Sequence, residues 1–254
     1  MELRVEVDSD HVATLEFSRG ESNFFDLDLL QALADALETL AAEGRARAVV
    51  LCSTGKHFCA GADFGSPDEI AHVTGPGRHL YDEGIRLFEQ PLPIVVAVQG
   101  SAVGGGLGLA LAADFRVATP QTRFWAPFAR LGLTQGFGIS VTLPRVVGEQ
   151  AAADLLLTAR RVTGTEALDL GLVDQVANQA DLRAAATARA RAIAANAPLA
   201  TRDIRALLRR GLADEVRASM TRERAAQDRL MMTFDHTAGV AASQARRDPR
   251  FDGR

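Results

Sequence analysis

Cysteine is scarce, with only Cys52 and Cys59 in 254 residues. Two thiols on either side of a short loop cannot make a disulfide framework, and they favour a reducing, cytoplasmic setting in which both are small buried side chains. Long apolar runs are also missing: none reaches the roughly 20 residues a bilayer demands. The opening MELRVEVDSDHVATLEF carries charges where a secretory signal needs an apolar segment. A soluble protein without a membrane partner is expected. There is no excess of positive charge, since 28 basic and 32 acidic residues leave a formal charge of -4, so nothing points to nucleic acid. The clearest basic cluster, ARRDPRFDGR, lies at the C-terminus. Metal-ligand spacing is absent as well. CSTGKHFC offers two cysteines and one histidine, too few for a zinc site, and no metal is expected. No internal repeat is visible.

What is present is a composition that is 47% hydrophobic, enough for one main domain with a smaller appendage. LRVEVDSDHVATLEF alternates like two short strands around a turn at Asp8 to Asp10. Asp26 is placed to cap LDLLQALADALETLAAEG, an amphipathic helix stopped by Gly44. ARAVVLC and IVVAV read as buried strands, and a helical region is expected over about Asp68 to Glu89. A helix from about Gly105 to Ala113 and the strand FRVAT follow. RFWAPFARLGLTQGFGIS reads as a loop with a short strand, and EQAAADLLLTARRVTGTEALDLGLVDQV as two helices and a strand. The alternation is that of an α/β fold. From Asp181 the pattern is helical, with a boundary near residues 196 to 200. The chain therefore divides into a core over 1–197 and a helical region over 198–254. Apolar stripes on the tail helices need a neighbour or the core to cover them. The alanines of DLRAAATARARAIAANAP read as helix formers on a surface helix.

In AVGGGLG, residues 102 to 108, three consecutive glycines precede a helix. They permit a sharp turn and leave N–H groups unblocked at the positive helix end, where an anion or developing oxyanion can sit. The alternative is a tight structural turn. No Gly-Lys-Ser/Thr follows, and the first strand lacks the dinucleotide fingerprint. CAGAD, residues 59 to 63, is a second small-residue turn after a second buried strand. Two such turns at neighbouring strand ends can aim two N–H groups at one oxygen.

ARAVVLCSTGKHFCAGAD, PLPIVVAVQGSAVGGGLGLALAADFRVAT, LPRVVG, ALDLGLVDQV and RRDPRFDGR together resemble the crotonase family, the enoyl-CoA hydratases and isomerases, in the family's order across nearly the whole chain. The resemblance implies a spiral of ββα units with a C-terminal helical region that makes trimer contacts, as a homotrimer or a dimer of trimers. It implies an acyl-CoA thioester as partner, with coenzyme A as part of the substrate and no metal or redox cofactor. It also makes the backbone N–H groups of Ala62 and Gly105 an oxyanion hole for the thioester carbonyl, flanked by Ala60 and Gly104. Asp63 is expected to orient the turn.

Two carboxylates are missing from that pattern. A typical hydratase carries one glutamate shortly after the triple glycine and another after the next strand; the matching positions here are Gly108 and Phe128. Dehalogenase-like members use an aspartate slightly later, where this chain has Gly136. Asp114 reads as a turn or cap and does not replace them. Acid or base groups must come from elsewhere, and DEIAHVTGPGRHLYDEGIRLFEQ, in the region that borders the family's acyl pocket, offers His72, His79, Tyr81, Asp82 and Glu83. Tyr81 and His79 are the candidates for a proton relay, against structural roles for each. Trp125 and Phe128 are candidates to line a dry acyl pocket, and Gln135 to hold a water. Arg19, Phe234, Arg247 and Phe251 are candidates for the phosphates or adenine of the CoA, the alternatives being solvation and anchoring of the tail. His57 reads as a surface residue. The functional expectation is an atypical acyl-CoA enzyme of isomerase, C–C lyase or hydrolase type. The alternatives are a noncatalytic CoA-ester-binding subunit and a low-activity hydratase.

Overall fold

The computed structural model describes residues 1–24, 26–62 and 79–254. It opens with a hairpin of β1 (Glu2–Val7) and β2 (Val12–Ser18), antiparallel, with Val5 opposite Leu15. The Asp8 carboxylate holds the turn by accepting from Asp10 and Val12 N–H at 2.9 and 3.0 Å, the short-range bonding that suits aspartate to turns. α1 (Leu27–Glu43) begins at Asp26, which accepts from Leu29 N–H at 3.0 Å, and ends at Gly44, whose φ of 67° a side chain would strain. β3 (Ala48–Ser53) follows. After the short helices α2 (Leu80–Gly84) and α3 (Arg86–Glu89) comes β4 (Ile94–Val98); β3 and β4 are buried at every position, as expected for parallel strands covered on both faces.

Past β4 the chain leaves this sheet. β5 (Ser101–Val103) opens a second one and leads into α4 (Gly105–Ala112); β6 (Phe115–Ala118) returns to the first sheet and β7 (Arg123–Trp125) pairs with β5. α5 (Ile139–Val147), α6 (Glu149–Thr158), β8 (Arg161–Thr163), α7 (Gly164–Asp169) and β9 (Gln175–Val176) complete both sheets. The tail is α8 (Leu182–Ala194), α9 (Pro198–Leu208), α10 (Leu212–Met231) and α11 (Phe234–Gln244). The larger sheet has the order β1-β2-β3-β4-β6-β9, parallel after the first hairpin, and the smaller β5-β7-β8.

Strand alternation divides the core. Leu15, Phe17, Val49, Leu51, Val96 and Val98 face the stripe of α1 formed by Leu29, Leu30, Leu33 and Leu37. Val12, Ala48, Val50, Val95, Ala97 and Val117 face α8 through Leu182, Ala186, Ala190 and Ala194. Here the expectation of a surface helix needs correction: alanines at i, i+4 and i+8 let α8 approach the sheet closely. Three other expectations change. A strand, β5, stands between IVVAV and the triple glycine. ISVTLPRVV forms α5, whose period Pro144 obscures. The segment of α7 and its flanks carries two strands, β8 and β9, rather than one. Of the helix expected over Asp68 to Glu89, residues 68–78 lie outside the described residues, and the remainder holds α2 and α3. Cys52 and Cys59 are both buried, and burial pushes the Cys52 thiol up to about 11.

Candidate functional site

Backbone pairing brings the two glycine-bearing turns together. Cys59 N–H donates to Ser101 O at 3.1 Å and Val103 N–H to Cys59 O at 3.0 Å, so the chain after β3 runs alongside β5. Gly61 (φ 89°) is packed so tightly that a Cβ there would lie 2.7 Å from Val103 O, and a Cβ on Gly106 would lie 2.2 Å from Cys59 O. Only glycine permits this backbone contact. Gly104, at φ 54° and ψ -119°, delivers Gly105 as the first residue of α4, where its N–H has no intrahelical acceptor and sits at the positive end of the helix.

Ala60, Ala62, Gly104 and Gly105 line a cleft of about 840 Å³. Its walls are aromatic: Phe24, Tyr81, Trp125, Phe128 and Phe137 all contribute, with Gln227 and Met231 from α10. Arg130, Arg161, Arg246 and Arg247 also line it, and Asp248 is the one carboxylate on its wall among the described residues. Asp248 accepts from Arg130 at 2.5 Å. The Arg161 guanidinium stacks 4.2 Å from the Trp125 ring, and the indole N–H donates to Ala159 O at 2.7 Å.

Glycines make room for two of the aromatic rings. A Cβ on Gly108 would fall 2.8 Å from the Phe137 ring, and one on Gly84 would fall 2.7 Å from it. A Cβ on Gly136 would coincide with the Tyr81 hydroxyl, at 2.0 Å. That hydroxyl donates to Gln227 Oε1 at 2.9 Å, while Gln227 Nε2 donates to Thr134 O at 3.0 Å, which orients the amide. Burial first, and the negative charge of Glu223 next, hold the Tyr81 phenol well above the usual tyrosine range. Tyr81 is therefore neutral, a hydrogen-bonding group and not a base. Glu223 itself accepts from Gly138 and Ser140 N–H at 2.8 and 3.0 Å, capping α5.

An enoyl-CoA hydratase/isomerase family model matches residues 8–254. The chain belongs to the enoyl-CoA hydratase/isomerase family. It is 32% identical over 251 residues to YngF of Bacillus subtilis strain 168, covering 97% of this chain and 96% of YngF. It is 30% identical over 237 residues to the short-chain-enoyl-CoA hydratase of Clostridium acetobutylicum, covering 91% of this chain and 90% of that enzyme. The crystal structure of an enoyl-CoA hydratase/isomerase from Pseudoalteromonas atlantica T6c superposes with a TM-score of 0.87 at 32% identity, over 98% of this chain and 99% of that one. The fold is thus the crotonase fold with its C-terminal helical region.

Within this family framework the candidate residues separate. Ala60, Ala62, Gly104, Gly105, Tyr81, Trp125, Phe128 and Arg247 meet at the cleft. Five others do not line it. His79 caps α2: its Nδ1 accepts from Tyr81 N–H at 3.1 Å, and its ring packs edge-on behind Tyr81 at 4.6 Å. Arg19 is ion-paired with Asp26. Gln135 is engaged by Thr134 and Ser140 at 3.0 and 2.8 Å. Phe234 is exposed, with Arg254 over its ring, and Phe251 is also exposed. Asp63 and His72 lie outside the described residues. His57 is half-buried against Gly100, not a free surface group, and burial lowers its pKa. Asp114 does serve the structure, accepting from Ile94 N–H at 2.8 Å and pairing with Arg205 and Arg209. Gln227 and Phe137 escaped the sequence reading because neither has a local signal. One is a polar residue on a polar helix, and the other sits in a segment without period. Among the described residues no three His, Cys, Asp or Glu side chains gather as metal ligands.

Proposed function

We propose that this chain is an acyl-CoA enzyme that stabilises an oxyanion or enolate of the thioester and does so without the paired carboxylates of hydratase chemistry. The observation that carries this reading is the composition of the cleft: both glycine turns line it, the Phe137 ring stands against Gly108, and Phe128, which the family resemblance matches to the second carboxylate, lines it as well. The thioester oxygen would accept from Ala62 and Gly105 N–H. Such donors strengthen their bonds as charge develops on the oxygen, and removing one typically costs about 3–4 kcal/mol of barrier stabilisation. Tyr81, held neutral, would donate to the acyl portion or to a leaving oxygen by exchanging its hydrogen bond to Gln227 Oε1 for one to the substrate, with His79 behind it as a supporting residue. Isomerisation, C–C cleavage and thioester hydrolysis are the reaction types this arrangement suits. Coenzyme A enters as part of the substrate, and no metal or redox group is required.

The chain's single tryptophan, Trp125, lines the cleft, so its fluorescence should report binding of acyl-CoA esters, with calorimetry giving the affinity. Enzyme-dependent deuterium uptake at the α-carbon of a bound acyl-CoA, the α-proton passing to solvent water in the cleft, is the expected sign of enolate formation when read by mass spectrometry, and Tyr81→Phe should reduce it by removing the donor to the acyl portion. The noncatalytic reading is favoured by the single paired carboxylate, Asp248, on the described wall. Tight binding with no exchange and no thioester cleavage would select it.

We further propose self-association through the tail. α9 has no buried residue and exposes Leu199, Ile204, Leu207 and Leu208. It borders a groove of about 1120 Å³. A face of that kind suits a second copy of the chain.

A further inference from the structure

We infer that Phe137 sets the length of acyl group the cleft accepts, and that Gly84 and Gly108 are the notches that hold its ring in place. This inference rests on the acyl-CoA reading and adds to it the determinant of substrate size. Phe137 lines the cleft yet is 1% exposed, so its ring is part of the wall rather than a projection into solvent. It is held at real cost. Its φ is 60°, a region that a residue bearing a side chain rarely adopts. Two helices give up a side chain beside it: α2 at Gly84 and α4 at Gly108, where a Cβ would lie 2.7 and 2.8 Å from the ring. Glycine inside a helix, as Gly108 is in α4, is itself unfavourable, by about 1 kcal/mol against alanine.

A strained backbone and two helical glycines converge on one aromatic side chain. Tyr81 packs edge-on against it at 6.3 Å and Phe88 lies at 6.4 Å, so two further rings brace it within the wall. It is a rigid stop. An acyl chain running from the Ala62 and Gly105 turns along this wall ends where the ring begins. The class of ligand is an apolar acyl thioester bounded at its far end by an aromatic face.

The test measures affinities of acetyl-, butyryl-, hexanoyl-, octanoyl- and decanoyl-CoA by calorimetry and Trp125 fluorescence. The unmodified protein should show a cut-off, beyond which affinity falls as the chain lengthens. Phe137→Ala should move the cut-off to longer chains by about two carbons, and Phe137→Leu, a milder second variant that keeps most of the wall filled, should move it the same way by less. Affinity for the first excluded ester should rise about tenfold, the effect of seating roughly two more methylenes. Gly108→Ala should move it the other way, because the added methyl drives the ring into the cleft. Thermal unfolding and binding of free CoA identify variants that remain folded. A cut-off that stays put in folded Phe137 variants, or a smooth rise in affinity with no cut-off in the unmodified protein, overturns the inference alone. Failure of the unmodified protein to bind any of the five esters overturns the acyl-CoA reading and this inference together.

Discussion

At the scale of residues, Tyr81 is accessible to an unusually direct measurement because it is the only tyrosine in the chain. Burial raises its pKa in the folded state above the usual value near 10. Below pH 10 both folded and unfolded chains hold the phenolic proton, so Tyr81 adds no pH dependence there. Above it the unfolded chain ionises first, and stability falls as pH rises. Phenolate absorbance should therefore remain flat until the protein unfolds in alkali, and Tyr81→Phe should flatten the alkaline loss of stability. Phenolate appearing near pH 10 in the folded protein would contradict the assignment. Gly108 supports a second prediction. Gly108→Glu cannot restore a catalytic carboxylate, since even its Cβ meets Phe137 at 2.8 Å. The variant should lose about 1–3 kcal/mol of stability to overpacking without gaining crotonyl-CoA hydration, as followed by enoyl absorbance.

The elements owe their placement to side chains distant in sequence. α8 lies close on the sheet because Ala186, Ala190 and Ala194 are small and fully packed. Ala190→Leu should cost about 1–3 kcal/mol in denaturant unfolding, where a surface helix would tolerate it. α5 has no side-chain cap of its own; Glu223 of α10 supplies one, its carboxylate accepting two of the first N–H groups. Glu223→Ala leaves buried donors unsatisfied, which should cost at least about 1–3 kcal/mol. Because α10 also carries Gln227, the same change should loosen Tyr81. Asp114 works in the same way, joining β4 to Arg205 of α9 and to Arg209 just past its end, at 2.9 and 3.0 Å.

For the molecule as a whole, the expected measurements concern assembly and rate. Light scattering should give a mass of three or six chains of 27.1 kDa, and Leu207→Glu with Leu208→Glu should lower it. A monomer of unchanged mass in both proteins would remove the self-association proposal. Crotonyl-CoA hydration by the unmodified protein should be slow, because each missing acid or base function commonly costs about 100-fold to 10,000-fold. Rapid hydration would defeat the reading of Gly108 and Phe128 as lost carboxylates. The exposed Leu199 and Ile204 on α9 belong to this scale, since only a neighbouring chain or another covering surface removes them from water.

Local chemistry made much of this protein legible in its sequence. Asp26 and Gly44 bound α1 because a carboxylate satisfies free N–H groups and glycine tolerates positive φ, both within a few residues. The buried strands β3 and β4 are readable as unbroken apolar runs, and the two small-residue turns as places where backbone can lie open. The ordered motifs around them marked the family, and the absence of glutamate at positions 108 and 128 was visible by inspection. Tertiary structure alone decided what fills those positions. Phe137 reaches Gly108 across 29 residues and Gly84 across 53, while Gln227 meets Tyr81 across 146. His79 became a helix cap and Gln135 a partner of Ser140 because their nearest groups are backbone and hydroxyl neighbours. Residue types and spacings specify a local backbone, but which side chains share one small volume depends on how the sheets, α4 and the tail helices pack together.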